Sequence, residues 1–373
     1  MEENKVAMAV DFGNSYIRVA IKLNGIVHSL ENEDGLKRFP QVIAVDEEST
    51  YFCNEAENNL IGYCDSYYKN FKYNCIVSKT EFSNSLVTKI LSHFKQMCIE
   101  FAKNNLQEIN DIDTIILAIP LLDPHKKWRE ILMHCSINAG FMNISTIYEE
   151  KLSIYYFRKN NLEENNHANI FFIFNLGSLS FSLSKWAYAK NRQSHSILIE
   201  TKGGISINTL LQNLFNNKIR EIIDKSIFKT FIKPDQYDIN KLFNNDAFEN
   251  NKKYIAECHR KYQLVLDTFS GKSKSMHIQF RHVINKQEIE IEILRGDIDE
   301  IVLFFKSNIK IIIDEFKKCK SNIESKYAII IIGNGIKIPG IMELFASECK
   351  ENFFLKNIFI NEEILKEAFL KLF

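Results

Sequence analysis

The sequence has no excess of either charge: 47 Lys plus Arg stand against 47 Asp plus Glu in 373 residues. That balance supplies no broad positive field, which argues against nucleic acid or an anionic membrane as the main partner. Long apolar runs are lacking too. The longest, such as Ala328 to Ile332, are strand-sized and far too short to span a bilayer. The opening MEENKVAMAV lacks the layout of a secretory leader, so a cytoplasmic protein is expected. Paired cysteines are missing as well. Cys53, Cys64, Cys75, Cys98, Cys135, Cys258, Cys319 and Cys349 stand singly, with no CxxC. Such spacing reads as reduced structural thiols, against a disulfide framework or a zinc site. The Asn pairs at 165–166, 216–217 and 250–251 read as surface loops.

What the sequence does have is a motif that occurs twice. In Ala7 to Ile21, AMAVDFGNSYIRVAI, four apolar residues run into Asp11-Phe12-Gly13-Asn14-Ser15, and a second mostly apolar run follows. This predicts a strand, a tight glycine turn and a returning strand. The tip offers backbone N–H groups, two small polar side chains and a carboxylate. A phosphate fits the N–H groups, and a metal fits near the carboxylate, often through water. Ile170 to Ser184, IFFIFNLGSLSFSLS, repeats the layout with Asn175 where Asp11 stands and Gly177 where Gly13 stands. The second copy lacks the acid.

The rest of the chain repeats at a coarser level. Ile26 to Leu30 and Gln41 to Val45 read as strands, and Tyr51 to Ser78 as irregular. Ser83 to Asn104 predicts an amphipathic helix with Leu86, Ile90, Phe94, Met97 and Phe101 on its core face. A buried strand, Asp113 to Ile119, is closed by Pro120, and a helix from Lys126 to Ala139 is capped by Gly140. Ser145 to Tyr148 is short, Glu149 to Arg158 reads as helix, and a polar crossover spans 162–169. In the second half, strand Ile197 to Glu200 meets a Gly203-Gly204 turn, and residues 211–268 are largely helical with a break near Pro234. A hairpin spans Met276 to Ile293, and a helix Asp297 to Lys318. A buried strand, Ala328 to Ile332, runs into Gly333-Asn334-Gly335, a helix starts near Pro339, and another closes the chain from Glu362 to Phe373. Two α/β halves of this kind, with their glycine turns across a cleft, would grip a nucleotide.

In collinear order, these segments resemble the Hsp70 nucleotide-binding domain of the actin, hexokinase and Hsp70 superfamily. AVDFGNSYIRVAI resembles its first phosphate segment, Phe39-Pro40-Gln41-Val42 the following Thr-Pro-Ser-Val strand, and TIILAIP (Thr114 to Pro120) the strand before its Val-Pro. Ala139-Gly140-Phe141 and Ile147-Tyr148-Glu149 are similar to its Ala-Gly-Leu and Asn-Glu-Pro segment. Asn175-Leu176-Gly177-Ser178 is similar to the second phosphate segment, Gly203-Gly204 to the Leu-Gly-Gly turn, and Gly333 to Pro339, GNGIKIP, to the adenosine segment. The resemblance implies an α/β fold of two RNase-H-like lobes of the actin/Hsp70 type facing across a nucleotide cleft. Lobe I would be 1–165, with its core near 6–38 and 111–165 and a smaller subdomain near 39–110. Lobe II would be 166–373, with its core near 166–210 and 291–358, a smaller subdomain near 211–290 and a last helix, 362–373, crossing back.

It also implies ATP or ADP with magnesium. Asp11 and Glu149 would be the catalytic acids, with magnesium held near Asp11 through water. Gly13, Asn14, Ser15, Tyr16, Gly177, Ser178, Gly203, Gly204, Gly333, Asn334 and Lys337 would hold the nucleotide. Several family positions differ. Asn175 stands for a magnesium-directing Asp, Ser178 and Leu179 for glycines, and Ser182 for a further Asp. The adenine positions hold His259, Tyr262, Gln263 and Leu266. Lys69 and Lys72 precede the long helix, where the family has its catalytic lysine, and read as exposed loop lysines. The chain stops at Phe373, where the family's chaperones continue into a peptide clamp. The expectation is therefore an atypical Hsp70-like chaperone cofactor or scaffold with weak or absent hydrolysis, whose partner is a J-domain or other co-chaperone protein, a ribosome-associated one included. The alternatives are an active Hsp70-type ATPase and an actin-like filament former.

Overall fold

The computed structural model describes residues 6–13, 16–46, 49–59, 66–69, 72, 81–105, 109–121, 127–160, 169–177, 180–188, 194–203, 207–229, 252–271, 273–284, 287–321, 323 and 327–349. Most of the 162–169 crossover, the break near Pro234, the closing helix 362–373, Cys64 and Cys75 lie outside the described residues. The chain is an α/β protein with two mixed sheets built to one plan.

The first sheet begins with β1 (Ala7–Phe12) and β2 (Tyr16–Leu23), an antiparallel hairpin in which Asp11 faces Arg18. β3 (Ile26–Ser29) and β4 (Phe39–Pro40) pair along β2. β8 (Thr114–Ile119) lies parallel to β1, and β9 (Asn143–Tyr148) parallel to β8, giving the order β3-β2-β1-β8-β9. The second sheet repeats the start of this. β10 (Ile170–Leu176) and β11 (Ser180–Tyr188) form a hairpin in which Asn175 faces Ser182, β12 (Ser194–Gly203) extends it, and β15 (Tyr327–Ile332) lies parallel to β10. Asp11 and Asn175 thus hold equivalent positions: each faces the residue seven further on, and each has a parallel strand on its other side.

The stretch expected to be irregular, 51–78, contains regular structure. β5 (Val42–Val45) is flanked by β6 (Thr50–Phe52) and β7 (Ser66–Lys69), and α1 (Cys53–Asn59) follows β6 directly. The aromatic density that hid any periodicity, as in Tyr51-Phe52 and Tyr67-Tyr68, belongs to strand residues of this small sheet.

One face of the first sheet, with Met8, Val10 and Phe12, packs under α2 (Glu81–Asn104) and α3 (Lys127–Asn138) through Leu86, Ile90, Phe94, Trp128 and Leu132. The other face is made of Ala7, Ala9, Ala20, Ile116 and Ala118. Because strand side chains alternate, that alanine face is as much a product of the sequence as the apolar one. It admits α4 (Glu149–Asn160) at close range through Leu152. On its opposite side α4 presents Ile154 and Phe157 to Phe171, Ile173, Ala328 and Ile330 of the second sheet. Leu152 and Ile154 are two residues apart, about 200° around a helix, so α4 is wedged between the sheets.

The far face of the second sheet (Phe172, Phe174, Leu176) is covered by α5 (Ile207–Lys229), α6 (Lys252–Ser270), the β13–β14 hairpin (Ser275–Ile284 and Gln287–Leu294), α7 (Arg295–Lys320) and α8 (Ile341–Glu348) in one apolar cluster. Cys53, Cys98, Cys135, Cys258 and Cys349 are buried free thiols, and Cys319 is half-buried and free. Among the described residues no helix is long and apolar enough to cross a membrane.

β15 ends at Gly333, whose φ of 95° suits glycine, and a short 3-10 turn, Asn334–Lys337, follows. A Cβ on Gly333 would lie 2.3 Å from the Leu176 carbonyl oxygen at the end of β10. Gly333→Ala is therefore expected to cost about 3 kcal/mol, from the positive φ and the backbone overlap together. Urea unfolding measures it, and a midpoint equal to wild type would refute the close approach.

Candidate functional site

β1, β8, β9, β10 and β15 run so that their C-terminal ends deliver Asp11, Leu121, Glu149, Asn175 and Gly333 to a common region. Crevices at such strand ends are where open α/β sheets bind ligands. The chain needs no loop to bring Glu149 there, because β9 ends at Tyr148 and α4 begins at Glu149. Glu149 and Glu150 occupy the first turn of the helix, where its dipole favours negative charge.

These groups form a buried network. Asn175 Nδ2 donates to Glu149 Oε2 at 3.4 Å and to Glu150 Oε1 at 3.3 Å. The Leu121 backbone N–H donates to Glu150 Oε2 at 3.0 Å. Lys72 Nζ donates to Glu149 Oε1 at 3.2 Å. At the first hairpin, Arg18 NH1 donates to Asp11 Oδ2 at 2.9 Å. Gln41 Nε2 donates to the Gly13 carbonyl at 2.7 Å, tying the β4–β5 junction to the glycine turn, and Gly13 N–H itself donates to the Tyr16 carbonyl at 2.9 Å. Arg18, Lys72, Gln41 and Glu150 are all buried, Glu150 to 1% exposure.

Burial is the main cause of a raised pKa at both glutamates. At Glu149 the Lys72 charge opposes that rise and the Asp11 carboxylate adds to it. At Glu150 the neighbouring Glu149 charge adds to burial, and the carboxyl is pushed up to about 7.

Several expected ligands lie here, and others do not. Asp11, Gly13, Glu149, Gly177 and Gly333 come together as the strand ends converge. Tyr16 begins β2 and packs its ring under the Arg38 guanidinium at 4.7 Å. Gly203 ends β12, paired with Ser180 at the mouth of the second hairpin. Asn14, Ser15, Ser178 and Gly204 lie outside the described residues, and of Asn334 and Lys337 only the backbone is described. At the adenine positions on α6, Tyr262 and Leu266 are buried in the core, Tyr262 donating its hydroxyl to Gln212 Oε1 at 3.1 Å. Core side chains of this kind are not free to hold a base.

Two sequence expectations are corrected here, beyond that for 51–78: the Asn pair 216–217 lies within α5 and not in a surface loop, Asn216 being buried and accepting the Tyr254 hydroxyl at 2.7 Å, and the second concerns Lys72. Lys72 is not an exposed loop lysine: it is 8% exposed and paired with Glu149. The aromatic-rich segment around it gave no periodic signal, so its direction could not be read from the chain. Arg18, Glu150 and Gln41 were also missed. Arg18 was legible in principle, as the one charged residue of YIRVAI, directly across the hairpin from Asp11. Glu150 had the Glu149-Glu150 doublet at a strand–helix junction as its signal.

No protein-family model matches the chain, and no curated protein matches it.

A pH dependence of stability follows from Glu150. In the unfolded chain its carboxyl titrates near the ordinary 4.5, and in the fold near 7, so between those values the folded state holds more protons. Its contribution is fully present below pH 4.5 and is lost as pH rises through 7, by about 3 kcal/mol. Relative to wild type, Glu150→Gln is expected to gain about that much stability between pH 4.5 and pH 8. Urea titrations of both proteins across this range check it, and a pH-independent difference would rule the shift out.

Proposed function

We propose that the chain is a nucleotide-binding domain of the two-lobed Hsp70 and actin type, its RNase-H-like lobes at 1–165 and 166–373. In this reading it is an atypical chaperone cofactor or scaffold that takes ATP or ADP between its sheets and turns it over slowly. The observation that carries the reading is the repeated hairpin. Asp11 and Asn175 stand at equivalent register in two sheets of like strand order, and both act on Glu149. A pair of glycine turns related in this way is a two-sided grip for phosphate. The Gly333 to Lys337 turn, pressed onto the end of β10, would flank the nucleoside.

Slow turnover follows from what the second hairpin offers. Phosphoryl transfer depends on charges fixed around the transferring group. Asn175 brings an uncharged amide, and that amide is already committed to two carboxylates. Ser182, its cross-strand partner, is buried and uncharged. The partner in this reading is a J-domain or other co-chaperone protein.

One observation favours the second reading, an active Hsp70-type ATPase. The Lys72–Glu149 pair puts a cation and a carboxylate where the resemblance expects a catalytic lysine and glutamate. Calorimetric titration of the full chain with ATP, alongside phosphate release, separates the two. Micromolar binding with negligible release is expected. Steady release that Asp11→Ala or Lys72→Ala abolishes would establish the ATPase instead. No binding heat at any temperature tried would leave only a scaffold.

A further inference from the structure

The Hsp70 resemblance implies a magnesium ion beside Asp11, and the donors at this site do not suit one. A divalent cation is held by free carboxylates and other oxygen ligands, usually with retained water. Here each acid facing the hairpin tips already has a fixed cation. Asp11 is bonded to Arg18 at 2.9 Å, and Glu149 to Lys72 at 3.2 Å. Both cations are buried, and Arg18 lies beside the turn itself: its NH1 is 3.9 Å from where a Gly13 side chain would begin. The remaining acid, Glu150, is turned away onto the Leu121 N–H and Asn175. Asn175 stands where the repeat would place a second acid, and it is uncharged. Among the described residues no group of three or more His, Cys, Asp or Glu is disposed to hold a metal. A divalent ion entering this site would compete with a buried guanidinium or ammonium for the charge of its carboxylate.

The same two cations still have donors to offer an anion. A guanidinium has five N–H donors and an ammonium three. Among the described residues Arg18 makes one hydrogen bond, to Asp11, and Lys72 one, to Glu149. Both keep donors for an oxyanion, and charge-assisted bonds from Arg and Lys to phosphate are among the stronger polar contacts.

We propose that Arg18 and Lys72 stand in for the divalent cation, so that this cleft binds the polyphosphate of a nucleotide without metal. The proposal rests on the nucleotide-cleft reading above and adds how the phosphate charge is met. Arg18 acts from the first hairpin, paired across it with Asp11. Lys72 acts from the segment before α2, paired with the first turn of α4.

The test is calorimetric titration of the full chain with ATP in excess EDTA and again with millimolar magnesium. Affinities agreeing within about threefold are expected, where a metal-dependent site would lose a hundredfold or more, the equivalent of losing two charge-assisted contacts. Binding that weakens by more than about tenfold in EDTA would overturn the proposal and leave the nucleotide reading standing. Absence of binding in both buffers would overturn the nucleotide reading, and the proposal with it. Inorganic triphosphate in EDTA is expected to compete with ATP; failure to compete would show that Arg18 and Lys72 do not meet the phosphates. In Arg18→Ala, checked for folding by its thermal transition, EDTA binding is expected to fall at least about tenfold and magnesium to restore part of it, because Asp11 is then unpaired. An Arg18→Ala protein that folds and binds like wild type in EDTA would refute the role of Arg18, and the wild-type comparison decides the proposal even if the variant does not fold.

Discussion

Asn175 donates one amide group to two adjacent carboxylates, and much of the site depends on that. Glu149 and Glu150 begin α4 side by side, largely enclosed, with Lys72 on one and the Leu121 N–H on the other. Buried carboxylates persist only where donors meet them, and a cluster left partly unsatisfied is costly. An aspartate at 175 would bring a third carboxyl to the same spot and would accept where donors are needed. Seen from the sequence, Asn175 is a lost acid. Seen in the fold, an amide is what two neighbouring glutamates require, and the carboxyl missing from the second hairpin stands at Glu150 instead.

The wedge of α4 makes that meeting possible. A helix between two sheets needs two apolar stripes, and Leu152 on one side with Ile154 and Phe157 on the other supply them. It also needs room, which Ala7, Ala9, Ala20 and Ala118 provide on the first sheet. With its flanks fixed, the first turn of α4 has little freedom. It projects between the two hairpins, where Asn175 reaches it from one sheet and the Leu121 N–H from the other. Gly333 and Gly335 press the β15 exit against Leu176 and Gly177, closing the second sheet's end of the same region.

Charge in this region is matched in pairs within the protein. Arg18 answers Asp11 and Lys72 answers Glu149, each inside hydrogen-bond distance and each largely screened from solvent. Pairs of this kind contribute little net stability once desolvation is counted, but removing one partner leaves the other stranded. Their value lies in fixing where positive charge is presented. A site with two immobile cations has a different electrostatic character from one built around carboxylates and a mobile ion, even when the backbone frame is the same.

Short continuous apolar runs determined the strands, and the glycine turns determined the hairpins, because both are local properties of the chain. The repeat of AVDFGNS in IFNLGS was visible for the same reason, as were the α2 core face and the end of α3 at Gly140, whose φ is 81°. Segment 51–78 defeated sequence reasoning because its strands are three or four residues long and its aromatics carry no clean period. The direction of Lys72 was decided by tertiary structure alone, and so was the burial of Glu150 and Arg18, whose positions had a local signal. A lysine in an irregular segment, the second acid of a doublet and an arginine within a strand are each, by composition, surface residues. What buries them is the convergence of strand ends from two sheets on one helix terminus, a long-range arrangement that brings Lys72 and Asp11 within reach of the Glu149 charge and sets the Asn175 amide on the same carboxylate.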